Sequence, residues 1–240
     1  MTEPTMNEDQ NPLTKPKFII SAVVVAIIVA LGIILALVPK GSGTATPEPS
    51  TTTTASSAQP TATSTDSVCG LPPGDQAKPA TALTDTKWEL IGKVAVPTSP
   101  KQFGPGKTEP NGLRACFAHS PTGALYAAAN ITVLSGTGKA RLVYEQLAVP
   151  SPDRDALLSQ PEPQETSGTT AQIAGFQIRS YNADRAVIVI AAKGSNGTLV
   201  AVPVPLEWYG GDWKVIVPAT GSTGGGQVSD LSGFIPWSGI

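Results

Sequence analysis

The stretch Cys116–Asn130, CFAHSPTGALYAAAN, decides how the middle of this chain folds. Ser120 supplies a hydroxyl that can cap free N–H groups, and Pro121 follows where its missing N–H does no harm, so a helix is predicted to begin here. Gly123 stands where a capping box would carry Glu, so that box is incomplete. The alanines that follow predict a helix that packs closely against a sheet.

Two further helices are predicted after this one. The segment Lys139–Ala148 places apolar side chains on one face at helical spacing, namely Ala140, Val143, Tyr144 and Leu147. A third helix is predicted to begin at Ser151 and Pro152, which repeat the hydroxyl-then-proline signal of the first.

Five strands are predicted around these helices. One lies before them, Lys87–Pro97, and four follow them: Gln172–Ser180, Arg185–Ala192, Thr198–Tyr209 and Trp213–Val217. The intervening turns are rich in Gly and Asn, residues that tolerate positive φ. Helices followed by an antiparallel meander predict an α+β domain.

The strand Thr198–Tyr209 carries two further signals. Pro203 and Pro205 cannot donate to a strand ladder, so they indicate an edge or a bulge. Trp208 and Trp213 flank a short hairpin and are expected to lie near each other on the sheet.

An apolar run near the amino terminus predicts a transmembrane helix. Phe18–Val38 has no charged residue and would be about 31 Å long as a helix, close to the hydrocarbon thickness of a bilayer. Lys15 and Lys17 precede the run and only Lys40 follows closely, which favours a cytoplasmic tail over residues 1–17. A cleaved signal peptide is the alternative, but its apolar core of about 7–15 residues would be shorter.

The composition changes after the apolar run. Residues 39–67 are almost entirely Thr, Ser, Ala and Pro and are expected to form a disordered linker. Residues 68–240 have the size of one domain, which this topology places outside the cytoplasm, on a cell membrane that the chain crosses once. The net charge is −2 and no basic run alternates with aromatics, so nucleic acid is not an expected partner.

The two cysteines, Cys69 and Cys116, would face an oxidising space in this topology, where two cysteines most often pair. Such a disulfide would close a loop of about 47 residues and stabilise the fold by about 4 kcal/mol. Two alternatives remain open: unpaired structural thiols, or a Cys116 nucleophile activated by His119. His119 precedes the helix cap, so nothing in the sequence fixes it against Cys116.

Other chemical motifs fail their spacing tests. The segment Gly136–Lys139 is similar to the end of a phosphate loop, but Val133 and Ala140 stand where glycine and a hydroxyl residue are required. Ser120 lies in no GxSxG elbow, and one histidine with two distant cysteines does not indicate a metal site. No catalytic, metal-binding or cofactor-binding residue is therefore assigned, no cofactor is expected, and an enzyme is not expected.

Three segments carry a resemblance to known proteins. CFAHSPTGALYAAAN, LEWYGGDWKVIVP and LSGFIPWSG resemble a family of uncharacterised actinobacterial membrane-anchored proteins often associated with mobile elements. The order of helices and sheet resembles the NTF2-like fold, with helices packed on a curved antiparallel sheet. A short tail, one span and an extracytoplasmic domain resemble the VirB8-like components of conjugation and type IV secretion machines. The first predicted strand and the Gly-rich tail from Gly221 depart from a minimal NTF2-like domain.

The expected function is that of a membrane-tethered extracytoplasmic scaffold or interaction module. The resemblance implies a component of a conjugation or type IV secretion-like machine, with protein partners in the envelope and oligomerisation left open. The alternative is a ligand-binding or enzymatic NTF2-like domain with a pocket in the cone of the sheet. The strands offer few charged side chains to such a pocket, and these are Arg179, Arg185 and Glu207.

Overall fold

The computed structural model describes residues 67–161, 170–221 and 223–239. The predicted cytoplasmic tail, the apolar run Phe18–Val38 and residues 39–66 of the predicted linker lie outside these ranges. Within the described ranges, no helix combines the length and the apolar character that a membrane crossing requires.

Three helices form the α part of the domain: α1 (Pro121–Leu134), α2 (Ala140–Gln146) and α3 (Pro152–Leu158). The Ser120 hydroxyl accepts a hydrogen bond from the Gly123 N–H at 3.0 Å, and the Ser151 hydroxyl accepts one from the Arg154 N–H at 3.1 Å. Both hydroxyl-then-proline helix starts are therefore confirmed, and each is a cap that satisfies a free backbone donor.

A wide π-helical turn, Ser135–Lys139, separates α1 from α2. Within it Thr137 leaves the helical conformation and Gly138 takes a φ of 78°, a region that favours glycine. The Thr137 hydroxyl donates to the Leu134 carbonyl oxygen at 2.9 Å. The segment that is similar to a phosphate loop is therefore the turn that ends the central helix.

The main sheet is an antiparallel meander, as the sequence predicts. Its strands are β5 (Ala171–Tyr181), β6 (Arg185–Gly194), β7 (Leu199–Tyr209) and β8 (Asp212–Val215), paired in that order. Two short strands complete it, β9 (Gly226–Val228) against β7 and β10 (Ile235–Pro236) against β5. With the helices, this sheet confirms a mixed α+β fold.

The two prolines of β7 lie in a gap between its partners. β8 pairs with Leu206–Tyr209, and β9 pairs with Leu199–Ala201. Pro203 and Pro205 fall between these two ladders, where their missing N–H groups interrupt no strand pairing on that side. This local edge is what the prolines predict, although β7 as a whole is an interior strand.

The predicted single strand Lys87–Pro97 is wrong. It is a hairpin of β1 (Lys87–Ile91) and β2 (Val94–Thr98), and the chain reverses at Gly92, whose φ is 60°. A second small hairpin, β3 (Lys107–Thr108) with β4 (Arg114–Ala115), was not predicted. A glycine that permits positive φ allows the reversal inside a run of strand-forming residues.

The core lies between α1 and one face of the sheet. Every residue of α1 except Thr132 is buried, although a surface helix would bury only one stripe. Its alanines, 124 and 127–129, have no exposed surface, and they share one apolar cluster with Ile188 and Ile190 of β6. The predicted packing of an alanine-rich helix against a sheet is confirmed.

The carboxyl-terminal segment crosses the opposite face of the sheet. β9 pairs with β7 and β10 pairs with β5, so residues 229–234 must pass over β6, and we call them the C-terminal strap. The Gln177 side chain donates to the Gly233 carbonyl oxygen of the strap at 3.3 Å. Val189, the ladder partner of Gln177, is completely buried. The strap therefore covers a face that α1 does not reach.

Trp237 follows β10 and fills the core beside α1. Its ring lies 5.0 Å from Trp88, 5.6 Å from Tyr126 and 5.4 Å from Phe176, measured between centroids. Its indole N–H donates to the Thr86 hydroxyl at 2.9 Å. The tail beyond Gly221 is therefore part of the domain, because a buried aromatic near its end joins the β1–β2 hairpin to the sheet.

Candidate functional site

The sheet has two ends with different features. We call one of them the tether end, because Ser67, the first described residue, lies there and is the last residue of the predicted linker. The turns 182–184 and 210–211 lie at this end. The N–H of Val68 donates to the Gly211 carbonyl oxygen at 2.7 Å, which fixes the chain there. At the distal end lie the beginnings of β5 and β7 and the end of β6. Because α1 has 14 residues, it spans about 20 Å between these ends.

The predicted disulfide between Cys69 and Cys116 is confirmed, with a Cα–Cα distance of 6.0 Å. The Ser67 hydroxyl lies 3.6 Å from the Cys69 sulfur and 3.4 Å from the Cys116 sulfur. Gly106 packs so closely that an added Cβ would lie 2.8 Å from the Cys69 sulfur. Because both sulfurs are bonded, neither is a thiolate here, and the Cys116 nucleophile is not what the structure shows.

A buried carboxylate, Asp212, organises the tether end. It accepts backbone hydrogen bonds from Cys116 at 2.7 Å, Phe117 at 2.8 Å and Trp213 at 2.9 Å. Burial raises the pKa of the Asp212 carboxyl above its ordinary value, while those N–H groups and the charge of Lys214 act in the opposite direction. The carboxylate thereby ties the segment that precedes α1 to the start of β8.

His119 is fixed by the sheet rather than free in front of the helix. Its ring stacks on Trp208 with centroids 4.0 Å apart and planes 5° apart, and it meets Trp213 edge-on at 5.7 Å. Its Nε2 is hydrogen-bonded to the Ala183 carbonyl oxygen, which can only accept, so the proton is on Nε2. Trp208 and Trp213 are themselves ladder partners 5.3 Å apart, which confirms their expected proximity.

A short chain of hydrogen bonds connects Gln76, in the segment that follows Cys69, to the sheet and to the backbone of His119. Tyr181 donates its hydroxyl to the Gln76 side-chain oxygen at 2.9 Å, and the Gln76 amide donates to the His119 carbonyl oxygen at 2.9 Å. Burial raises the pKa of Tyr181 to about 12, so this hydroxyl keeps its proton at neutral pH. These contacts are structural, because they hold the amino-terminal segment to the sheet.

The charged candidates of the strands, Arg179, Arg185 and Glu207, do not converge in one pocket. Arg185 and Glu207 are ladder partners with an ion pair of 2.9 Å, on the face away from α1, because their neighbour Ala186 faces the core. Arg179 is exposed and donates to Gln177 at 3.3 Å. Among the described residues no group of three or more His, Cys, Asp or Glu side chains is placed to hold a metal ion.

A cavity opens at the distal end, between the end of α1 and the sheet, with a volume of about 550 Å³. Its wall is mostly apolar and consists of Lys93, Val94, Thr132, Val133, Gly136, Thr137, Thr170, Ala171, Ile173, Ile190, Ala192, Val200 and Val202. This volume lies within the range of about 300–1,000 Å³ typical of small-molecule sites. We call it the distal cavity.

A smaller cavity of about 140 Å³ lies beside the distal cavity, and Thr132 and Val202 line both. Thr132 carries the polar group at this boundary. Its hydroxyl is buried and has no hydrogen-bond partner within the part of the chain that the structure describes. A buried hydroxyl without a partner is costly, so such groups mark places where a further partner would stabilise the protein.

Sequence reasoning missed the distal cavity. The available signal was Gly136, which follows directly on an apolar helix, where an added Cβ would meet nothing within 4 Å. In the sequence this glycine stands only in the segment Gly136–Lys139, which fails the spacing of a phosphate loop. The other wall residues come from the end of α1 and the turn after it, and from β2, β5, β6 and β7 with the residues next to them, so only the folded chain brings them together.

The chain belongs to a family defined by a domain of unknown function, DUF8175, whose model matches residues 49–236. No curated protein and no solved structure matches the chain. The family match covers the whole meander, both cysteines and the C-terminal strap.

Proposed function

We propose that this member of the DUF8175 family is a membrane-tethered scaffold that acts outside the cytoplasm. In this proposal Phe18–Val38 crosses the membrane once, and the following Thr/Ser/Pro-rich segment carries the folded domain away from the bilayer. The domain holds other envelope proteins at the membrane and catalyses no reaction.

The observation that carries the proposal is the covalent attachment at the tether end. Cys69, the second residue after the predicted linker, is bonded to Cys116, five residues before the central helix. The disulfide supports an oxidising compartment, because stable disulfides are rare in the cytosol. It also joins the linker to the core, so a force on the tether reaches α1 without passing through residues 70–115.

We further propose an NTF2-like fold and a role in a conjugation or type IV secretion-like machine of an actinobacterium. In support, three helices precede an antiparallel meander, and the first of them is enclosed against the sheet. The β1–β2 hairpin and the C-terminal strap are additions to that plan. The assignment to such a machine rests on this architecture, and the transfer assay described below tests it.

A second candidate function is ligand binding, and the distal cavity is the observation that favours it. It is compatible with a scaffold, because the cavity and the tether lie at opposite ends of the domain. An enzymatic role has less support: Arg185 and Glu207 pair on the far face, and His119 is engaged by Trp208 and Ala183.

The proposed topology is tested in intact cells with cysteine reporters introduced one at a time, since the native Cys69 and Cys116 are bonded to each other. Thr54→Cys lies in the predicted linker and should react with a membrane-impermeant thiol reagent. Thr5→Cys is the matched control in the predicted cytoplasmic tail and should react only after lysis. Reaction of the control with protection of Thr54→Cys would reverse the orientation.

The scaffold itself is tested by separating the domain from its anchor in a cell that depends on it for mobile-element transfer. Deletion of Phe18–Val38 should abolish transfer, and an unrelated uncharged span of the same length and orientation should restore it. Release of the domain through a protease site in the linker should again abolish transfer. If the released domain still supports transfer, the tether is dispensable and the scaffold proposal is wrong.

A further inference from the structure

The distal cavity lies where the central helix ends. α1 fills the space under the sheet with alanines and ends at Leu134. The wide turn that follows contains Gly136 and Gly138, which add no side chain to the wall or its surroundings. An added Cβ at Gly136 would meet nothing within 4 Å. The space is therefore built into the backbone path.

The strand residues that line the cavity are mostly apolar. Val94, Ile173, Ile190 and Val202 come from four different strands and line one continuous wall. The apolar wall of an empty cavity is not packed against other apolar groups, so it lacks the stabilisation that burial would provide. An occupant with a hydrocarbon chain or ring would recover it, whereas a strongly polar occupant would lose its hydration without compensation.

One charged side chain belongs to the wall, and it is a cation. Lys93 has no ion pair, and its ammonium has no hydrogen bond to any described residue. Its backbone, in contrast, is fixed: the Gln172 amide donates to the Lys93 carbonyl oxygen at 2.6 Å, and the Gln172 oxygen accepts from the Ala95 N–H at 3.1 Å. A free ammonium on a fixed backbone at the edge of an apolar cavity complements an anion.

We propose that the distal cavity binds a small amphipathic anion, whose hydrocarbon part fills the cavity and whose carboxylate lies at the Lys93 ammonium. This inference rests on the second candidate function, ligand binding at the distal cavity, and does not depend on the scaffold proposal. Each proposal can fail without the other. The domain can act as a scaffold without binding a ligand, and it can bind a ligand without acting as a scaffold.

The test uses the full chain in phosphatidylcholine nanodiscs and a defined probe, a ten-carbon carboxylate with a photoreactive diazirine near its methyl end. After illumination, the labelled peptides are identified by mass spectrometry. Labels should fall on the end of α1 and on the wall strands, and unlabelled decanoate should compete. Labels confined to residues 1–66 would show that the probe only partitions into the bilayer, and would overturn the proposal.

Two pairs of variants separate the cavity and the charge. Ala192→Phe, which faces the core side like its neighbour Ile190, should abolish cavity labelling, while Gly226→Phe, exposed on β9, should leave it unchanged. Lys93→Gln should raise the probe concentration for half-maximal labelling roughly two- to fivefold, as expected for an exposed ion pair, and Lys193→Gln should not.

A neutral probe completes the test. The ten-carbon alcohol with the same diazirine should label the wild-type cavity more weakly than the carboxylate, and Lys93→Gln should remove the difference. Equal labelling by alcohol and carboxylate, or unchanged labelling in both Lys93→Gln and Ala192→Phe, would overturn the proposal. Unchanged disulfide state and melting temperature in each variant show that the fold is intact.

Discussion

The backbone N–H of Cys116 donates to the Asp212 carboxylate at 2.7 Å, across 96 residues of sequence. Cys116 is the one described residue other than glycine with a positive φ, 71°, and the same residue carries the disulfide. A strained backbone persists only where surrounding contacts hold it. The entrance to the central helix therefore depends on the β7–β8 turn and on the amino-terminal segment together.

Asp212→Asn should destabilise the domain. The amide keeps the shape of the side chain but offers one acceptor oxygen, and it turns a donor group toward backbone N–H groups that the carboxylate satisfies. We expect a cost of about 1–3 kcal/mol, measured by chemical denaturation. An unchanged free energy of unfolding would show that the carboxylate does not organise this corner.

The same pair of proteins should differ in pH dependence. Burial raises the pKa of the folded-state Asp212 carboxyl above the ordinary 3.8, so the folded chain holds this proton more tightly than the unfolded chain. The resulting stabilisation is complete below that value and is lost as the pH rises through the folded-state pKa. The stability advantage of the wild type over Asp212→Asn should therefore shrink with rising pH. An advantage that grows with pH would contradict this.

Loss of the disulfide should cost more than any single hydrogen bond of the corner. Replacing Cys69 and Cys116 together by serine should lower the free energy of unfolding by about 4 kcal/mol, because the open loop of 47 residues gains entropy in the unfolded chain. Intact-mass measurement should show a gain of about 2 Da on reduction of the wild type. Alkylation of both cysteines without reductant would mean that the native protein lacks the bond.

His119→Ala should reduce stability without abolishing function. It removes an aromatic stack worth about 0.5–1.5 kcal/mol and a hydrogen bond of similar value, so the expected cost is about 1–3 kcal/mol. His119→Phe retains the stack on Trp208 and should recover roughly half of the loss. The scaffold proposal would fail if His119→Ala melted like the wild type yet abolished mobile-element transfer.

Two glycines close in sequence should respond oppositely to alanine. At Gly123, an added Cβ would collide with the Ala118 carbonyl group at a separation that no Cβ tolerates, so Gly123→Ala should cost about 3 kcal/mol or more. At Gly136, the added methyl meets open space, and the change to alanine should be neutral or stabilise by up to about 1 kcal/mol. Thermal unfolding of both variants checks this, and equal losses would contradict the packing at Gly123.

The comparison of these two glycines also shows how far local signals reach. Ser120 and Pro121 specify where α1 begins, because capping is decided by residues within one turn. The glycine that leaves the capping box incomplete is required for a different reason, the approach of Ala118. The sequence shows that residue 123 is a glycine, but it does not show that Ala118 packs against this position.

The sequence by itself determined the elements whose cause is local: the three helix starts and stretches, the meander strands and the turns between them. It also predicted the disulfide, because two cysteines in an oxidising compartment most often pair, and the structure decided between that pairing and free thiols. These features depend on periodicity, caps and counts, which a linear chain displays directly.

Only the tertiary structure decided the rest. The stack of His119 on Trp208, the strap over Val189, the insertion of Trp237 beside Trp88 and the distal cavity each join segments far apart in the chain. Such contacts follow from which sheet edge a segment reaches and which face it covers. Sequences with the same local patterns can bring different distant segments together. The distal cavity therefore exists only once the sheet has formed.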